Sequence, residues 1–229
     1  MPRIVDLSFD IYDRAPTFWP DPKTAVIEHM KVENLGYNIT QLVMSTHMGT
    51  HLDAPYHFLD EGRTVDQIDL ARCFGPAWVL DFSGKGPGGQ ITLADLKVHA
   101  DRITPGSRLI LRTGWDKVFP DPRYFKDCPM VLPEACEYLA ERRIGALALD
   151  MPTVCGEQYV ETHHALLKAE VLIVEGLAHL DELKDERVLF IALPLSIRGR
   201  DGSPCRAVAI EGLTDEQLQA LDMPILPPK

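Results

Sequence analysis

The sequence predicts an α/β fold, with one mixed sheet in a single domain over residues 1–229. Three observations lead there. Strand-like alternation dominates the first half of the chain. Strand and helix patterns alternate through the second half, the order that builds crossover units in a sheet. No stretch has linker composition, and 229 residues suffice for one good-sized core.

The elements follow in order. Ile4 to Phe9 reads as a first strand. Thr17-Phe18-Trp19-Pro20-Asp21-Pro22 is a proline-bounded loop, rigid because proline fixes φ. Ala25 to Val32 and Tyr37 to Met44 alternate as strands do. Ala77 to Phe82 is an apolar strand, and Lys85 to Gln90 a glycine-rich turn. Thr92 to Ala100 is a helix with Thr92 as N-cap and Asp95 in the capping-box position. Arg108 to Arg112 is a strand with Leu109 and Leu111 on one side. Pro133 to Arg142 is a helix with proline in its first turn. Ile144 to Leu149 is a strand ending at Asp150, a turn or capping residue as readily as a site residue. Thr162 to Ala169 is helical, Val171 to Val174 a strand ending at Glu175, and Val188 to Leu193 another strand. Asp215 to Leu221 is a final helix capped near Thr214. Prolines 16, 20, 22, 120, 122, 204, 224, 227 and 228 mark surface connections.

Composition excludes several classes. Apolar content of 45% and charged content of 25% are those of a soluble globular protein. A net charge of −11, spread along the chain, argues against nucleic acid and an anionic membrane surface as partners. No apolar run is long enough to span a bilayer, and the first residues lack a basic start and apolar core, so no signal peptide is expected. Five cysteines without Cys-x-x-Cys spacing predict free thiols and a reducing cytoplasm. Gly84 to Gly89 lacks the order of a nucleotide loop, and no Gly-x-Ser-x-Gly elbow supports a serine hydrolase.

The chemistry concentrates in residues 45–58. In an extended chain, side chains alternate between faces. His47, Gly49, His51, Asp53, Pro55 and His57 would then share one face, opposite Met48, Leu52, Ala54 and Phe58. Imidazole and carboxylate are the usual ligands of zinc and similar divalent ions. A straight strand would hold His47 and Asp53 roughly 20 Å apart, so the segment must bend, and Gly49 and Pro55 allow it. Glycine, serine, threonine and the following proline disfavour a helix here.

A second cluster could complete the site. His163-His164 sits at the start of a predicted helix, and Glu175 closes the apolar run Val171 to Val174. A carboxylate ending a buried strand needs a partner or a metal. Asp53 and Glu175 with three histidines would suit one or two zinc or manganese ions. His29, His99 and His179 are isolated and are assigned to surface or packing.

His47-Met-Gly-Thr-His51-Leu-Asp53-Ala-Pro-Tyr-His57-Phe resembles the signature of the cyclase family, which includes bacterial kynurenine formamidase and isatin hydrolase. The resemblance extends to Thr17 to Pro20, Ala148 to Pro152, His163 to Leu167, Ile173 to Glu175, Ile191 to Leu195 and Gly202 to Ala207. It implies a swivelling β/β/α architecture, a homodimer or homotetramer, and two divalent ions, zinc with manganese as the alternative. It also implies that His47 and His51 bind the first metal, Asp53 bridges, His163 binds the second and Glu175 closes the site. His57 would be the general acid/base, and Trp19 would stack on substrate near a subunit interface. The implied reaction is hydrolysis of a small-molecule amide, N-formylkynurenine to kynurenine and formate. The alternatives are opening of a cyclic amide or lactone, and metal binding without catalysis, which leaves a spare imidazole at His57 without a task. The turn Thr153-Val-Cys155-Gly156 departs from the Ser-x-Asp-Pro turn usual in formamidase and isatin hydrolase members.

Overall fold

Short alternating strands resolve into one nine-stranded mixed sheet in the computed structural model, which describes residues 1–225. Pro227 and Pro228, expected in a surface connection, lie outside the described residues. The strands are β1 (Arg3–Asp6), β2 (Ala25–Met30), β3 (Ile39–Val43), β4 (His51–Asp53), β5 (Phe74–Asp81), β6 (Gln90–Ile91), β7 (Arg108–Arg112), β8 (Met130–Val131), β9 (Ala146–Leu149), β10 (Leu172–Glu175), β11 (Arg187–Ile191), β12 (Gly202–Pro204) and β13 (Val208–Glu211). The helices are α1 (Val32–Leu35), α2 (Leu93–Lys97), α3 (Pro133–Glu141), α4 (Tyr159–Lys168) and α5 (Asp215–Ala220). The large sheet runs β1-β13-β11-β5-β7-β9-β10-β4-β12. Its centre, β5-β7-β9-β10, is parallel, and antiparallel strands flank it on both sides.

Strand alternation sorts the core into two faces. Leu80, Leu109, Leu111, Leu147, Leu149 and Ile173 point to the helices, against Leu96 of α2, Leu139 of α3 and Leu166 of α4. Ile110, Ala146, Ala148, Leu172 and Val174 point the other way and meet Val5 and Leu52 from strands far apart in the sheet order. A shared core between such distant strands means that the sheet curls. The expected α/β class with one mixed sheet is therefore what this chain forms.

Local chemistry sets the boundaries. Thr92 and Thr214 each close a capping box, with Asp95 and Gln217. Residues β2 and β3 form a separate hairpin whose connecting helix buries nothing, and every residue of β3 is exposed. The first strand is shorter than expected and begins at Arg3. The helix predicted from Thr162 begins earlier, at Tyr159, because no side chain caps it and nothing local marks its start. Strands β12 and β13 have no counterpart in the expected elements. Gly202-Ser203-Pro204 has poor strand composition and is extended because it pairs with the edge of β4. No helix among the described residues is long and apolar enough to cross a membrane.

Candidate metal centre

Three side chains of the site are placed by one strand pair. β4 and β10 run antiparallel with Glu175 opposite His51 and Ile173 opposite Asp53. Leu52, between the two ligand candidates, points into the other face of the sheet. The chain bends on both sides of β4, as Gly49 and Pro55 predict: before it, Gly49 has φ 63°, and His47 lies in that turn. After β4 the chain enters a single 3-10 turn, Pro55–His57, which returns His57 to the same place. His163 arrives from α4, where it is buried in the middle of the helix and not at its start. His164, next to it, faces away and binds the Phe58 carbonyl through Nε2 at 3.0 Å.

The hydrogen bonds fix which imidazole nitrogens face inward. His51 donates Nδ1–H to the Gly49 carbonyl at 2.9 Å, and His163 donates Nδ1–H to the Tyr159 carbonyl at 2.6 Å. Each Nε2 is thereby left for the centre. His51 Nε2 stands 3.6 Å from an oxygen of Asp53 and 3.6 Å from one of Glu175. His163 Nε2 stands 3.3 Å from Glu175 and 3.6 Å from Asp53. His47 lies between two carboxylates, with Nδ1 2.8 Å from Asp53 Oδ1 and Nε2 donating to Asp201 at 2.6 Å. His57 stacks on His47 with ring centroids 3.9 Å apart and makes no side-chain hydrogen bond among the described residues.

The electrostatics ask for positive charge at the centre. Both oxygens of Asp53 are buried and neither accepts a hydrogen bond; the His47 contact is close but not aligned as one. Burial, with Asp53 beside it, pushes the Glu175 carboxyl upward. Burial lowers His51 to about 4 and so keeps it neutral, a lone pair facing carboxylates. Burial works against charge on His47 too, but the Asp201 and Asp53 carboxylates on either side of the ring raise it to about 10. Burial lowers His57 as well. A divalent cation among these atoms would satisfy the orphaned oxygens and the inward lone pairs at once. His51, Asp53 and Glu175 offer ligand atoms within 4.8 Å of one another, as do His47, Asp53 and His57. The donor set fits such an ion by chemistry as well as by distance.

A cavity opens on this cluster, lined by the aromatic rings of Phe9, Phe18, Phe119, Tyr124, Phe125 and Tyr159. Within one copy of the chain Trp19 is not part of that wall. It is 87% exposed, while Phe18 turns inward and meets Phe125 edge-on at 6.1 Å. Trp19 sits at the corner of the turn closed by the Asp21 amide on the Phe18 carbonyl, which carries its ring outward. Asp150 stands apart from the cluster and is a structural cap: it accepts hydrogen bonds from the Thr113 amide and hydroxyl and the Gly114 amide. Cys155 is fully buried and does not line the cavity. Two residues at the site had no expected role. Asp201, held also by Thr46 at 2.9 Å, orients His47. Gly202 leaves room for the His47 ring, since a Cβ there would lie 2.8 Å from Cε1. Gly202 opens the stretch to Ala207 that carries part of the family resemblance, which was its available signal; Asp201 lies just outside that stretch.

Residues 5–154 match the Cyclase family model. The kynurenine formamidase of Bacillus thuringiensis (strain Al Hakam) is 34% identical over 211 residues, covering 89% of this chain and 95% of that protein. The kynurenine formamidase of Geobacillus thermodenitrificans (strain NG80-2) is 33% identical over 210 residues, with the same coverage of 89% and 95%. Isatin hydrolase A from Labrenzia aggregata, solved with benzyl benzoate, superposes with a TM-score of 0.81 at 27% identity, over 91% of this chain and 93% of that one. An isatin hydrolase bound to the product analogue thioisatinate shares the fold at a TM-score of 0.83 and 24% identity, over 92% of each chain.

Proposed function

This chain belongs to the cyclase family, and on that footing we propose that it is a metal-dependent hydrolase of the C–N bond of an aryl formamide, converting N-formylkynurenine to kynurenine and formate. The observation that carries this reading is the inward-facing Nε2 atoms of His51 and His163 set against Asp53 and Glu175, at the wall of an aromatic cavity. The 34% and 33% identities to kynurenine formamidases support the choice of bond. The isatin hydrolase likeness supports a second reading, hydrolytic opening of a cyclic amide or lactone. The chain is read as one catalytic domain over residues 1–229.

His47 and His51 would hold a first divalent ion, Asp53 would bridge, and His163 and Glu175 would complete a second position. Zinc is the expected ion and manganese the alternative. When bound, the metal supplies Lewis acidity and a water that ionises near neutrality. The remaining steps belong to the protein. His57, neutral and without a hydrogen bond, is free to take a proton and hand it to the leaving nitrogen. The aromatic wall stacks on the substrate ring and keeps bulk water away. Asp201 holds the His47 ring so that Nδ1 faces Asp53.

The exposed β2–β3 hairpin supports self-association. An isolated two-stranded sheet is marginal in water, and this one presents Ile27, Ile39, Leu42 and Val43 to solvent. A second copy covering it, as a homodimer or within a homotetramer, could also bring Trp19 to a neighbouring cavity.

The test joins elemental analysis to a two-substrate assay. Metal content together with formate release from N-formylkynurenine is expected. Ring opening of isatin without formate release would favour the second reading. Glu175→Ala should lose bound metal, whereas His57→Ala should keep metal and lose turnover; equal metal loss would make His57 a ligand.

A further inference from the structure

The cavity has one charged group that the metal centre does not use. Glu175 and the four histidines on its wall belong to the cluster already described, which leaves Asp21. No lysine or arginine lines the cavity among the described residues. The Asp21 side chain is half-buried and makes no hydrogen bond or ion pair among the described residues. Burial pushes its carboxyl above the ordinary range, His47 pulls it down, and Asp201 adds to the rise.

Asp21 is also held in place. It lies between Pro20 and Pro22, and its amide donates to the Phe18 carbonyl at 2.8 Å. The Arg14 amide donates to the Thr24 carbonyl at 3.0 Å and closes the loop at its base. The same loop supplies Phe18 to the aromatic wall. A fixed, half-buried carboxylate without a partner is costly in the free protein and is repaid by a donor on the ligand.

We propose that Asp21 is the specificity residue of this site: it accepts hydrogen bonds from an ammonium group on the substrate's side chain, and so selects cationic aryl amides over neutral ones. This rests on the amide-hydrolase reading. A substrate carboxylate finds no cationic side chain in this cavity and would face solvent at its mouth. A neutral fused ring such as isatin gains nothing from Asp21. N-formylkynurenine carries the ammonium that the site calls for.

The test uses metal-loaded full-length protein and two analogues of N-formylkynurenine, the decarboxylated amine and the deaminated acid. The wild type should prefer the amine by kcat/KM. Asp21→Asn should lower kcat/KM for the amine by about tenfold to a hundredfold, mainly through KM, with a several-fold smaller loss for the deaminated acid. Equal losses on both analogues, or none on the amine, would overturn the proposal. If neither formamide is hydrolysed, the amide-hydrolase reading fails, and calorimetry still decides Asp21. Kynuramine, which carries an ammonium, should then bind the wild type more tightly than 2-aminoacetophenone and lose that advantage in Asp21→Asn. An advantage that survives the substitution would overturn the proposal.

Discussion

Replacing Gly202 with alanine puts a methyl group where the site has no room. It would stand 2.7 Å from the Leu52 carbonyl oxygen, 2.8 Å from Cε1 of His47 and 3.3 Å from its Nε2. Carbon atoms in contact settle near 3.5–4.0 Å. The Leu52 carbonyl belongs to β4, and Gly202 pairs with Asp53 across the same strands, so neither backbone can retreat without opening the sheet. The His47 ring must move, but it is stacked on His57 and held between Asp53 and Asp201. Overpacking of this kind costs about 1–3 kcal/mol. In a chain of this size each kcal/mol lowers Tm by roughly 2–4 °C, so a fall of roughly 2–12 °C is expected in metal-free protein. Disturbing a ligand's support weakens metal binding by roughly 10–100-fold. Thermal melts and zinc competition against a chelator read the two effects separately. Gly84→Ala is the control, because its methyl would meet nothing within 4 Å. A Gly202→Ala protein that melts within about 1 °C of wild type and binds zinc equally well would refute the packing argument.

Three further outcomes follow from charge and exposure. The carboxylates around His47 hold it protonated up to about 10, so zinc must displace that proton, and zinc affinity should weaken at least about tenfold for each pH unit lowered between 8 and 6; a pH-independent affinity would contradict this. Burial raises Asp150 to about 6 despite its hydrogen bonds, so the native state binds the extra proton between about 4 and 6, and this contribution to stability is lost as pH rises through that window. Asp150→Asn should flatten the fall in urea midpoint across it, and an unchanged slope would count against the assignment. Val43→Glu should shift the protein toward monomer in sedimentation velocity, since it places charge on the hairpin face that also carries exposed Ile27 and Ile39; an unchanged oligomer would locate the interface elsewhere.

The site was legible where chemistry is local. His51 and Asp53 alternate on one strand face, and Leu52 between them goes to the core, as strand geometry requires. The Thr92 and Thr214 caps mark their helices because capping depends on residues three apart. The convergence of His163 and Glu175 with His51 and Asp53 depends on pairing between distant strands; ligand chemistry offered them as candidates to complete the site, and the resemblance assigned their places. Asp201 could not be read from its own neighbourhood, since its meaning comes from a 2.6 Å contact with a residue far away in sequence. Trp19 and Phe18 were distinguishable only by which one the loop turns inward. Strand β12 was invisible for a related reason: its residues are extended by a partner's edge and not by their own preferences.

The pairing of β4 with β10 joins segments whose neighbouring contact, Thr50 to Gly176, spans 126 residues of chain. An ion held by His51, Asp53 and Glu175 would therefore act as a staple between the early and late parts of the molecule. A nascent chain that has not reached Glu175 displays the whole histidine motif and still lacks the carboxylate and the strand that complete the His51–Asp53–Glu175 group. Full loading would then be a property of finished molecules, and a full metal complement a measure of how many copies are full length and folded. Withdrawing the ion should loosen β4 and β12 at the rim of the sheet first, while β5, β7 and β9 keep their amide protons.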